Sequence, residues 1–272
     1  MESCLNPAND HGVDWSAPWL TPICQLGMQL AHADDWRGEL NRLAQQMQLR
    51  NRHHLPLQFV VQQELPVGTS YESFIHETGK VPTRDNLHDF FNALIWLTFP
   101  QIKAQLNALQ AAQIAHLGVG KSRGPSRDAA TLFDENAALL AVTDNQAGHA
   151  LVAALRNHQW QQIFVTQRAQ FKNLALVVLF GHAIIEKLVQ PYKAITAHTV
   201  VCWVDPGFHH LPADSQRTFL DLRISSQLEA QPLLPALFSP LPILGVPDWW
   251  PVQDSHFYAD TSVFRAARQR HN

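Results

Sequence analysis

The sequence predicts a mainly helical fold, α+β at the margin: a helical body with one or two short strands and a proline-rich, extended C-terminal wrap. Three observations carry this expectation. Apolar residues recur at helical spacing over most of the chain before Asp205. Short stretches that combine apolar and β-branched residues in the manner of strands are few. Eight of the seventeen prolines lie between Pro206 and Pro251, which leaves room there for one long helix, over Ser215 to Leu228.

In chain order, Leu26, Leu30, Trp36, Leu40, Leu43 and Met47 predict one or two helices between Pro22 and about Arg50. LQFVVQQEL at Leu57 to Leu65, followed by Pro66 and Gly68, reads as a strand or extended segment. Ser70 caps a short helix that ends before Gly79, and Thr83 caps a second that runs through Phe99. Gln101 to Leu117 forms a third. Gly118, Gly120 and Gly124-Pro125 then punctuate a basic loop. Arg127 to Glu135 reads as a helix, while Thr131 to Val142 equally fits a hairpin turning at Asp134-Glu135-Asn136; period alone does not separate the two. Asp144 caps a helix to His158, Trp160 to Leu188 reads as helical with at least one break, and TVVCWV at Thr199 to Val204 is the best strand. The organisation expected is a single domain over 1–272, with an N-terminal helical segment (1–56), a core (57–204) and the wrap (205–272).

Bulk composition narrows the function classes. With 272 residues, 46% hydrophobic and only 16% charged against roughly 25% in an average domain, the chain predicts a large, apolar interior. A net charge of -3 supplies no overall field for a nucleic-acid backbone or an anionic membrane. Cys4, Cys24 and Cys202 are odd in number and lack Cys-x-x-Cys spacing, which points to a reducing, cytoplasmic setting. The polar start of the chain does not resemble a secretory signal. The longest apolar run, Leu174 to Ile185, is interrupted by Gly181 and His182 and is too short to span a bilayer.

The informative polar residues lie on helices that are otherwise apolar. Asp85, His88, Asp89 and Asn92 fall three and four apart, on one face of a helix whose remainder carries Leu87, Phe90, Phe91, Leu94 and Ile95. Such a stripe predicts a concave site, with these four residues as its catalytic groups. Glu72 with His76, and His182 with Glu186, stand one helical turn apart. Imidazole and carboxylate together suit a divalent metal, so His88, His182 and Glu186 are the expected ligands, with Asp85 or Asp89 behind them or acting as general base. The alternative is structural: Glu-His pairs at this spacing are common ion pairs worth a few tenths of a kcal/mol. The His88-Asp89 dipeptide is expected about once by chance and carries no weight.

A second, basic cluster comprises Arg84, Lys103, Lys121, Arg123 and Arg127. Arginine beside glycine-bearing backbone suits phosphate or carboxylate groups, so Arg84, Lys103, Arg123 and Arg127 are the expected contacts to a small anionic ligand. A solvated loop, or Arg127 paired to Asp128, Asp134 or Glu135, is the alternative. The glycine spacing matches neither a Walker nor a dinucleotide pattern, and there is no Gly-x-Ser-x-Gly elbow.

Three strings, VPTRDNLHDFFNALIWLTFPQIKAQLN (Val81 to Asn107), RGPSRDAATLFDE (Arg123 to Glu135) and GHAIIEKLVQPYKAIT (Gly181 to Thr196), with FYADTSVFR near the end, resemble a proteobacterial family described as a domain of unknown function. The resemblance runs from about Phe59 onward. It implies a bacterial, cytosolic source and brings no activity, fold or ligand with it.

Two functions follow. One is a metal-dependent hydrolase acting on a small or phosphate-bearing substrate. The other is a non-enzymatic binding protein, whose buried His/Asp network and basic loop dock an anionic ligand, nucleic acid or protein partner.

Overall fold

A computed structural model describes residues 7–10, 12–117 and 125–267. Helices α1 (Pro7–Asp10), α2 (Cys24–Ala31) and α3 (Trp36–Gln46) come first. Strand β1 (Gln58–Val60), helix α4 (Tyr71–Thr78) and strand β2 (Lys80–Pro82) follow, with β1 and β2 paired in parallel. Then come helices α5 (Leu87–Thr98), α6 (Pro100–Leu117) and α7 (Pro125–Asn136). Strand β3 (Ala137–Thr143) leads to α8 (Gln146–Arg156), α9 (Arg168–Leu174), strand β4 (Ala175–Leu179) and α10 (His182–Lys187). Strand β5 (Thr196–Val204), α11 (Ala213–Ala230), strand β6 (Ser239–Pro242) and α12 (Ser255–Ala259) complete the order.

The helical body with one or two short strands is overturned by the sheet. Six strands occur among the described residues, and four form one mixed sheet in the order β4-β3-β5-β6. β3 is antiparallel to β4 and parallel to β5, and β6 is antiparallel to β5. All seven residues of β3 are buried, so the sheet is an interior element of the molecule. Helices supply most of the residues, and α7, α8, α9 and α11 pack directly against this sheet.

Three corrections share one physical cause, the loss of alternation in a strand buried on both faces. The helix expected over Trp160 to Leu188 is interrupted by β4, whose ALVVL run pairs with β3. β3 itself, AALLAVT, is rich in good helix formers and holds one β-branched residue before its last position. No hairpin turns at Asp134-Glu135-Asn136; helix α7 runs to Asn136 and β3 begins at once. The C-terminal segment is more than a wrap, because β6 joins the sheet as an edge strand. Pro240 and Pro242 are tolerated there because an edge strand leaves one side of its ladder unpaired.

Capping sets where the helices begin. Ser70 accepts from the Ser73 amide at the start of α4, and Gly79 ends that helix at φ 74°, the left-handed conformation that favours glycine. α5 is capped by Asn86, which accepts from the Asp89 amide, in place of the expected Thr83. The helix after β3 is capped by Asn145, next to the expected Asp144. α5 is buried at every position except His88. Phe90, Phe91 and Trp96 from α5 and Phe99 just after it, with Phe133 from α7 and Phe180 after β4, are among the largest fully buried side chains. No helix among the described residues is long and apolar enough to cross a membrane.

Candidate metal centre

The four residues expected as one stripe separate into four environments, because α5 begins only at Leu87, after Asp85, and each side chain meets a different neighbour. Asp85 turns toward α3, where Arg37 donates at 2.6 Å and Trp36 Nε1 at 3.1 Å. Asp89 is saturated by Arg84: its backbone amide donates at 2.7 Å and its guanidinium at 2.9 and 3.0 Å. Asn92 sits between Tyr71 and Lys103. Only His88 reaches the other predicted metal-binding residues.

His88 carries a contact on each ring nitrogen. Nδ1 lies 2.8 Å from Glu186 Oε2, and Nε2 lies 3.1 Å from His182 Nε2. The His182 nitrogen is also 3.8 Å from Glu135 Oε2. His88, His182 and Glu135 therefore converge, their ligand atoms all within 4.8 Å of one another. Glu186 stands behind His88, on the opposite side of its ring. α5 and α10 pack together, as do α10 and α7, and these contacts unite residues far apart in sequence.

The backbone explains how Glu135 arrives. Phe180 and Gly181 both donate to the Ala137 carbonyl, at 3.1 and 2.9 Å, locking the end of β4 to the start of β3. Glu135 lies two residues before that carbonyl and His182 one residue after the second donor. Sequence reasoning missed Glu135 because the helix-or-hairpin alternative left its direction open; the Asp134-Glu135 pair at the end of an amphipathic helix was the available signal.

Electrostatics follow from burial. His182 is 3% exposed, and burial pushes its imidazole down to about 3, keeping it neutral near pH 7. Its Nδ1 has no hydrogen-bond partner among the described residues. Burial raises the Glu135 carboxyl above its ordinary range. For Asp134 burial acts in the same direction, but the Lys103 ammonium, 2.6 Å away, overrides it and holds the carboxylate below the usual range.

The expected anion contacts lie in three kinds of place. Arg84 is bound to Asp89, and Lys103 is buried between Asn92 and Asp134. Arg127 lies in α7, and its side chain is outside the described structure. Arg123 and Lys121 lie outside the described residues. Glu72 and His76 do not share a point: Glu72 accepts from Asn107 at 2.6 Å, while the His76 ring lies 3.8 Å from that of His53. A cleft of about 300 Å³ opens beside the centre, lined by Tyr71, Glu72, Gln110, Thr131, Asp134 and Glu135 among others.

Fold and site together define a mixed-sheet protein with a two-histidine, one-carboxylate cluster where β3 begins and the edge strand β4 ends. The chain belongs to the family described as "Protein of unknown function (DUF3025)", whose model matches residues 57–268 and so spans the whole cluster. No curated protein and no solved structure matches the chain.

Proposed function

We propose that His88, His182 and Glu135 bind a divalent transition metal, and that the protein is a metal-dependent hydrolase acting on a small, phosphate-bearing substrate in the adjoining cleft. The observation that carries this reading is the 3.1 Å approach of two imidazole Nε2 atoms with a carboxylate beside them. An ion about 2.1 Å from both nitrogens would see them at roughly 95°, an ordinary angle between neighbouring ligands. The 3.8 Å from His182 to Glu135 is shorter than the roughly 4.2 Å between ligands on opposite sides of such an ion. Two neutral nitrogens and one carboxylate leave a coordination position for water, whose proton a divalent ion makes easier to remove near neutral pH.

Glu186 completes the arrangement as an orienting group. By accepting from His88 Nδ1-H it leaves the Nε2 lone pair for the ion. Arg84 and Lys103 are engaged by Asp89 and Asp134, so the metal itself supplies the positive charge that meets the substrate's anionic group.

A second reading rests on the same distance. At 3.1 Å one imidazole can donate to the other, making the cluster a buried polar network in a binding protein. Metal analysis of the purified full chain separates the two. The hydrolase reading expects about one equivalent of zinc, manganese or iron per chain, lost in His182→Ala, together with hydrolysis of p-nitrophenyl phosphate that chelation removes and the same metal restores. A chain that neither retains metal nor takes up added zinc sinks the metal reading and leaves the network.

A further inference from the structure

Behind the metal centre runs a chain of hydrogen bonds whose direction is set at one end. Lys103 Nζ donates to Asp134 Oδ1 at 2.6 Å and to Asn92 Oδ1 at 2.8 Å. An ammonium has only protons to offer, so Asn92 must present its oxygen there. Its amide nitrogen is thereby turned toward Tyr71, and donates to the phenol oxygen at 3.0 Å. The phenol accepts that bond, so its own proton points elsewhere. Among the described residues it donates to no group, and Tyr71 lines the same cleft as Glu135.

We infer that the Tyr71 phenol is a hydrogen-bond donor held ready in the cleft for an anionic oxygen of a phosphoryl group bound at the metal. The inference rests on the metal reading above and names the group that would share the substrate with the ion. Three features fit this role. Burial raises the phenol well above its ordinary value, with Glu72, Asp89 and Asp134 adding to the effect, so the donor keeps its proton throughout the physiological range. Asn92 and Lys103 are both buried, so the chain that orients the phenol is shielded from competing water. The other acidic groups of the cleft are also engaged: Asp134 by Lys103, and Glu72 by Asn107. With Glu135 on a divalent ion, the cleft no longer presents an uncompensated wall of carboxylates to an incoming anion.

The test uses the full chain loaded with zinc and inorganic phosphate as the probe. Tyr71→Phe is expected to bind zinc as the wild type does and phosphate about tenfold more weakly, the usual scale for losing one hydrogen bond to a charged group. Equal phosphate affinity in the zinc-loaded variant overturns the inference while leaving the metal centre standing. Failure of the wild type to take up zinc removes both. A second measurement does not depend on the variant's folding. The chain has three tyrosines, so with 13Cζ-labelled tyrosine the Tyr71 resonance can be assigned by elimination with Tyr192→Phe and Tyr258→Phe. That resonance must move when phosphate is added to the zinc-loaded wild type, and a resonance that stays in place overturns the inference.

Discussion

At the scale of single residues, the partner on the far side of an imidazole decides how well it can serve a metal. His88 has Glu186 on Nδ1, whereas His182 has no partner on its Nδ1 among the described residues and is held by packing. Replacing Glu186 by Gln keeps the side chain's size and removes the charge that favours the Nδ1-H tautomer. Zinc affinity is expected to fall by roughly 10- to 100-fold, the usual effect of removing such a partner. Competition with a chromophoric chelator measures it, and unchanged affinity would show that packing alone orients His88. Lys103 presents a different problem, a buried charge. Lys103→Met leaves the Asp134 carboxyl buried without its ammonium, and unfolding in urea should show a loss of about 3 to 5 kcal/mol. Lys103→Met with Asp134→Leu should recover much of that loss, because the apolar pair has no unpartnered charge. A double variant no more stable than the single would place the cost in packing.

Elements in this protein are joined by caps that come from elsewhere in the chain. α6 follows α5 directly, and its first amides, Gln101 at 3.1 Å and Ile102 at 2.9 Å, donate to Asp221 on α11. Burial raises that carboxyl from 3.8 to about 6, with the two amide bonds acting in the opposite direction. A raised acid binds its proton more tightly in the folded state, so it contributes stability below about pH 4 that is lost as pH rises through about 6. The change is on the order of 2 to 3 kcal/mol for a carboxyl so little exposed. Asp221→Asn should flatten the stability curve between pH 4 and 6; an unaltered slope would place that titration on another group. Long-range caps of this kind are invisible to sequence, whereas local ones are not: Ser70 and Gly79 bound α4 where composition says they should. The sheet was hard to read for the same reason that it is stable. β5 shows its β-branched residues, but β3 and β4 are buried on both faces and lose the alternation that distinguishes a strand from a buried helix.

Over the whole molecule, the candidate site is a junction between chain segments, and this limits what sequence can show of it. Helical spacing placed Glu186 one turn from His182 on α10 and singled out His88 on α5, because each interrupts an apolar surface. Glu135 and Tyr71 carry no such mark, since their roles depend on where α7 packs against the sheet and α4 against α6. Gly181 shows how tight that junction is. Its φ of -61° is open to any residue, so the glycine is not there for conformational freedom. A Cβ added to it would stand 2.5 Å from Asn136 N and from Glu135 O, and 2.6 Å from Ala137 N. These are backbone atoms of the α7–β3 junction, and rotating a side chain cannot relieve the contacts. Gly181→Ala must therefore push apart the segments that carry Glu135 and His182. Loss of stability alone would be unremarkable for a buried glycine, so the informative quantity is zinc affinity measured on the fraction that folds. That affinity should fall by at least the roughly 10-fold expected of the lesser second-layer changes. Gly207→Ala serves as the control, because a Cβ there meets nothing within 4 Å. If Gly181→Ala folds and binds zinc as tightly as Gly207→Ala, the metal centre does not depend on the closure of β3 against β4.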